Sequence, residues 1–73
     1  MGKSQHVVPH DGKWAVRGAG NGRVTSIHDT QNEAFERARE IAIKQSAEVL
    51  IHGKNGQIRE RNSYGNDPFP PEG

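Results

Sequence analysis

The sequence predicts an α+β fold, a two-layer sandwich in which one helix covers one face of a sheet of about five short strands. Three observations predict it. Apolar and polar residues alternate over residues 13–18 and again over 47–53, the period of a half-buried strand. Between them, over residues 30–45, the apolar spacing becomes four, three and four, the period of a helix. Asp11-Gly12, Asn21-Gly22 and Asn55-Gly56 are dipeptides that tolerate positive φ and close hairpins. The order is ββ-β-α-ββ in a mostly antiparallel sheet, and no second helix is left to cover the sheet's other face.

Each element has a local reason. "HVVP" (6–9) is a short strand closed by Pro9, and Asp11-Gly12 turns it into "KWAVRG" (13–18), where Trp14 and Val16 alternate with Lys13, Ala15 and Arg17. Asn21-Gly22 leads into "RVTSIH" (23–28), rich in β-branched residues. The helix puts Ala34, Ala38, Ile41 and Ala42 on one face with Phe35 beside them, and Glu36, Arg37, Glu40 and Lys44 in water. Ile43 lies off that stripe. Pairs Glu33–Arg37 and Glu40–Lys44 support the helix. "AEVLIHG" (47–53) sets Ala47, Val49 and Ile51 against Glu48, Leu50 and His52. Asn55-Gly56 then turns into "QIRERN" (57–62).

His28, Asp29, Thr30 and Glu33 resemble a catalytic cluster, but the spacing of Thr30 and Glu33 is that of a capping box. The hydroxyl accepts from the backbone three residues on, and the carboxylate reaches back to the cap. The change of period falls at this point, which favours the cap over acid–base chemistry.

With 73 residues, 30% hydrophobic, the chain is one small domain with a thin core, worth roughly 3–5 kcal/mol. Residues 1–5 read as a flexible N-terminus, 6–62 as the single domain, and 63–73 as a Pro/Gly-rich tail that Tyr64 and Phe69 pack on the body. Without cysteine there is no disulfide and no thiolate metal site. The four histidines, His6, His10, His28 and His52, show no metal-ligand spacing. "GAGNG" (18–22) lacks the following helix that a phosphate-binding glycine loop needs. No cofactor, metal or catalytic residue is expected, so the chain reads as a non-enzyme. No stretch has transmembrane length and the N-terminus lacks the apolar core of a signal peptide, so no membrane partner and a cytoplasmic location are expected.

The sheet's uncovered face is the remaining candidate. If Trp14, Val16, Val49, Ile51 and Ile58 face the helix, then Lys13, Arg17, Arg59 and Arg61 face away, joined by Arg23 and Thr25. Such a face, crossed by Glu48, can sit on a phosphate backbone. It lacks aromatic stacking platforms. The alternative is a homodimeric structural or adaptor module, since Leu50 and Ile27 share the exposed face and open sheet edges can pair with a second copy.

Nearly the whole chain also resembles the small bacterial and phage proteins of the domain-of-unknown-function 2188 family. The likeness runs through "HVVPHDGKWAVRGAG", "SIHDTQNEAFERAREIA" and "EVLIHGKNGQIRERNSYGNDPFPP". It rests on a W-x-V strand, a T-x-x-E-A helix start and an I-H-G-x-x-G hairpin. The resemblance implies a compact single domain that includes the tail, with no assigned activity and no catalytic residues to carry over.

Overall fold

A computed structural model describes residues 3–64. Its elements follow the expected order: β1 (Gln5–His10), β2 (Lys13–Gly18), β3 (Ser26–His28), α1 (Gln31–Gln45), β4 (Glu48–His52) and β5 (Ile58–Ser63). The strands form one sheet in the order β3-β2-β1-β4-β5. Every pairing is antiparallel except β1 with β4, which α1 makes parallel by carrying the chain across the sheet. The anchoring role expected of Phe69 lies outside the described residues; Tyr64 packs on the core and its N–H donates to the Ala47 carbonyl at 2.9 Å.

Local chemistry sets the joints. Asp11 (φ 50°) and Gly12 (φ 79°) both take positive φ, the demand of the tight turn that matches strand twist. β1 runs past Pro9 to His10. Its parallel pairing with β4 ends at Val7, so the missing Pro9 N–H costs that ladder nothing. Asn21-Gly22 is not a two-residue hairpin. Residues 19–25 form a loop, β3 shrinks to three residues, and the Lys3 ammonium donates to the Asn21 side chain at 2.8 Å. A Cβ on Gly18 would lie 2.7 Å from the Asn21 amide nitrogen, so a glycine lets this loop fold back on β2. Asn55-Gly56 also lies in a longer turn, residues 53–57. There the Asn55 side chain accepts from the Gln57 N–H at 3.0 Å.

The helix begins as its sequence dictates. Thr30 is extended, and its hydroxyl accepts from the Glu33 N–H at 3.1 Å. Among the described residues the Glu33 carboxylate makes no return bond, so half of the capping box is formed. The helix ends with Ser46 in the left-handed region (φ 54°), and the Ala47 N–H reaches the Ala42 carbonyl at 2.9 Å. The expected i,i+4 charge pairs give way to i,i+3 pairs, Arg37–Glu40 at 3.1 Å and Arg39–Glu36 at 3.9 Å.

The buried stripe of α1 is Ala34, Ala38 and Ala42. Small side chains there let the helix lie close against Val7, Val16, Val49 and Ile51, with Trp14, Phe35, Ile41 and Tyr64 closing the sides. Ile43 is exposed, as its place off the stripe requires. Trp14, Val16, Val49 and Ile51 face the helix as expected; Ile58 does not. The β4–β5 register slips by one residue beside His52. Ile51 faces Glu60 while His52 faces Ile58, leaving Arg59 as the extra residue of a bulge. Ile58 therefore turns to the outer face and is 53% exposed. No described helix is long and apolar enough to cross a membrane.

Candidate functional site

Among the described residues no element covers the sheet face opposite the helix, and strand parity decides what stands on it. Val7 and Val16 point to the helix, so their neighbours His6, Val8, Ala15 and Arg17 point away. On β4 the outward residues are Glu48, Leu50 and His52. The register assembles two rows across the strands. One is Arg17–His6–Leu50–Arg61, spanning β2, β1, β4 and β5. The other is apolar at both ends: Ile27, Ala15 and Val8, then His52 and Ile58 beyond the last parallel pair.

The expected basic set is therefore only partly assembled. Lys13 and Arg17 on β2 and Arg61 on β5 stand on the outer face. Lys13 pairs with Asp29 at 3.3 Å and Arg61 approaches Glu48 at 3.9 Å, both in solvent-exposed positions of little energetic weight. Arg23 lies in the 19–25 loop, off the sheet, and Thr25 is no longer part of a strand. Arg59 sits at the bulge with its stem against Gly53. Leu50 shares the outer face as expected yet is only 8% exposed; Ile27 is 48% exposed.

The structure adds what local sequence reading missed. His6 Nδ1 lies 2.9 Å from His52 Nε2, and His52 Nδ1 lies 3.0 Å from the Gly56 carbonyl oxygen. The carbonyl can only accept, so His52 carries its proton on Nδ1. Its Nε2 then accepts from His6 Nδ1–H. Burial holds the His6 imidazole below its ordinary pKa, helped by the neighbouring His52 and then by Arg17. The ring centroids are 5.1 Å apart. With 2.9 Å between the nitrogens, these atoms lie nearly on the line joining the rings, the geometry of a hydrogen bond and not of two ligands converging on a third atom. No group of three or more metal-ligating side chains occurs among the described residues. His28 instead meets the Ser26 hydroxyl at 2.8 Å, and Asp29 is drawn to Lys13. The suspected catalytic cluster is thus divided among separate partners.

Beside the imidazole pair runs an open groove of about 490 Å³ lined by Val8, Pro9, Arg17, His52, Lys54, Asn55 and Gly56. Lys54 was hidden in the sequence because it reads as part of a turn. Strand parity places His6 and His52 outward, but only the nonlocal β1–β4 pairing brings them together.

A family model described as "Uncharacterized protein conserved in bacteria (DUF2188)" matches residues 5–64. "Uncharacterized protein YdaT" of Bacillus subtilis (strain 168) is 42% identical over 65 residues, which are 89% of this chain and 43% of that protein. The chain thus spans less than half the length of this curated relative. No solved structure matches it.

Proposed function

The chain belongs to the bacterial protein family designated DUF2188, and from that premise we propose that it is a non-enzymatic binding domain that lays its bare sheet face on nucleic acid in the cytoplasm. The observation behind this reading is the row Arg17–His6–Leu50–Arg61. It sets two guanidinium groups on the uncovered face, roughly 14 Å apart at ordinary strand spacing. Guanidinium groups suit phosphate oxygens because their planar fork donates two bonds at once. Each phosphate so neutralised releases condensed counterions, which favours association at low salt. Among the described residues the face carries no Phe, Tyr or Trp on which a base would stack, and its two imidazoles are bonded to each other, so the contact is with the backbone and is indifferent to sequence.

The test is fluorescence anisotropy with labelled single-stranded and duplex DNA and an RNA hairpin of mixed sequence. At about 50 mM salt the expected Kd is about 1–100 μM, rising at least tenfold by about 200 mM. Arg17→Ala and Arg61→Ala should each weaken binding. Absence of binding at the lower salt with about 100 μM protein ends this reading.

A second reading has its own observation. Ile27 and Ile58 are both about half exposed and close the two ends of one outer row. A second copy covering that row would bury them. Sedimentation velocity should then show a concentration-dependent dimer that Ile58→Asp dissociates, and a monomer at millimolar concentration excludes it.

A further inference from the structure

The cations of the outer face differ in how they are satisfied. Lys13 and Arg61 have carboxylates nearby, Asp29 and Glu48. The side chains of Arg17 and Lys54 make no hydrogen bond or ion pair among the described residues, and both line the same groove. No aspartate or glutamate lines it with them. Two like charges sharing one concavity without a counter-charge favour an anion between them.

The wall that carries Lys54 is held in place before any ligand arrives. The Gly53 N–H donates to the Gln57 carbonyl at 2.7 Å and the Gly56 N–H to the Gly53 carbonyl at 2.9 Å. The Asn55 side chain accepts from the Gln57 N–H at 3.0 Å. His52 then ties the turn to β4 through the Gly56 carbonyl, and His6 in turn holds the His52 ring. The imidazole pair thus acts as a brace between β1, β4 and the turn. A braced turn loses little conformational freedom when it binds. Arg17 on β2 and the apolar Val8 and Pro9 on β1 complete the lining.

We propose that this groove is a phosphate seat, with Arg17 and Lys54 as its two ligands and the His6–His52 brace as its support. The inference rests on the reading of the outer face as a polyanion surface and narrows it to one place. The shared chemistry is a phosphoryl oxyanion, and its sources are a nucleic-acid backbone or a free phosphate compound. The groove is larger than one phosphate group needs, leaving room for the sugar that a backbone phosphate brings.

The experiment is a two-dimensional NMR titration of the full chain with inorganic phosphate, against sodium chloride at matched ionic strength, and then with a short single-stranded oligonucleotide and a short duplex. Saturable shifts of the Asn55 and Gly56 amides and of the Arg17 Nε–H are expected in the millimolar range with phosphate. Arg17→Gln and Lys54→Gln should each weaken the response about fivefold or more, while Lys44→Gln on the exposed helix face leaves it unchanged. Both ligand residues are exposed, so unaltered spectra away from the groove establish that the variants fold. Phosphate filling the groove while no oligonucleotide binds upholds the seat and ends the nucleic-acid reading. An oligonucleotide that shifts Arg17 and Arg61 while the Asn55 and Gly56 amides stay silent does the reverse. No saturable phosphate response, or one unchanged in both variants, overturns the seat.

Discussion

His6 and His52 stand 46 residues apart in the chain and 2.9 Å apart in the fold, joined nitrogen to nitrogen across the parallel β1–β4 seam. His6 is held below the ordinary value of 6.5, first by burial and then by His52 and Arg17. The sign of the consequence follows from proton counting. Between the depressed folded pKa and 6.5 the unfolded chain binds the proton and the folded chain does not, so acid favours unfolding. The contribution of His6 is present above 6.5 and is lost as pH falls through the folded value. Urea denaturation from about pH 7.5 to about pH 5 should show stability declining more steeply for the native chain than for His6→Asn. That variant keeps an amide donor near His52 and cannot titrate. Equal slopes would place the acid sensitivity elsewhere.

Thr30→Ala should lower stability by about 1 kcal/mol, because the hydroxyl is the acceptor for the Glu33 N–H at the first turn. Glu33→Gln should cost little, about 0.5 kcal/mol or less, since its carboxylate makes no return bond and only its interaction with the helix dipole is lost. Thermal melts of the two variants separate the two halves of the motif.

How far the sequence discloses this molecule depends on the range of the interaction. Ala34, Ala38 and Ala42 repeat within one helix, and Thr30 and Glu33 lie within one turn, so the helix and its start are written locally. The Asp11-Gly12 hairpin is legible for the same reason. Ile58 is not: alternation from Ile51 and Val49 would send it to the helix, and only the bulge at Arg59 turns it out. Asn21-Gly22 carries a hairpin signal, but Lys3 and the cleft over Gly18 hold Asn21 in a wider loop. Of the five basic residues read as a face, Arg23 lies in that loop and Arg59 at that bulge. The His6–His52 contact and the Lys54 groove depend on β1 lying beside β4, which neither segment encodes by itself.

Ser46 holds the left-handed position that ends α1, at φ 54° and ψ 50°. An L-residue there costs about 1–2 kcal/mol, and glycine costs about 0.5–1 kcal/mol of unfolded-chain entropy in exchange. Ser46→Gly should therefore stabilise the domain by about 0.5–1 kcal/mol, read as a higher urea midpoint with an unchanged m-value. A lower midpoint would mean that the serine side chain contributes something the backbone geometry does not show.

Ala38 is fully buried at the middle of the helix stripe, where the helix meets the central strands. Ala38→Leu forces side-chain volume into a closely packed seam and should cost about 1–3 kcal/mol. Ile43→Leu on the exposed side should change little. Equal behaviour of the two in denaturation would contradict the placement of the stripe.

The salt dependence of nucleic-acid binding distinguishes the assembled face from the face expected from sequence. On duplex DNA each neutralised phosphate contributes about 0.9 to the slope of log K against log salt concentration. Arg17 and Arg61 share one row of the bare sheet, so Arg17→Gln and Arg61→Gln should each reduce that slope by about one. Arg23 sits in the 19–25 loop that leads into the shortened β3, so Arg23→Gln should leave the slope within error of the native chain. Lys13 lies on the outer face of β2 but already faces Asp29 at 3.3 Å. Freeing it by Asp29→Asn should raise affinity and steepen the slope, whereas removing the Asp11 carboxylate in the hairpin turn should do less. If all the basic residues contribute alike, the attraction comes from net charge alone and the row has no part in positioning the ligand.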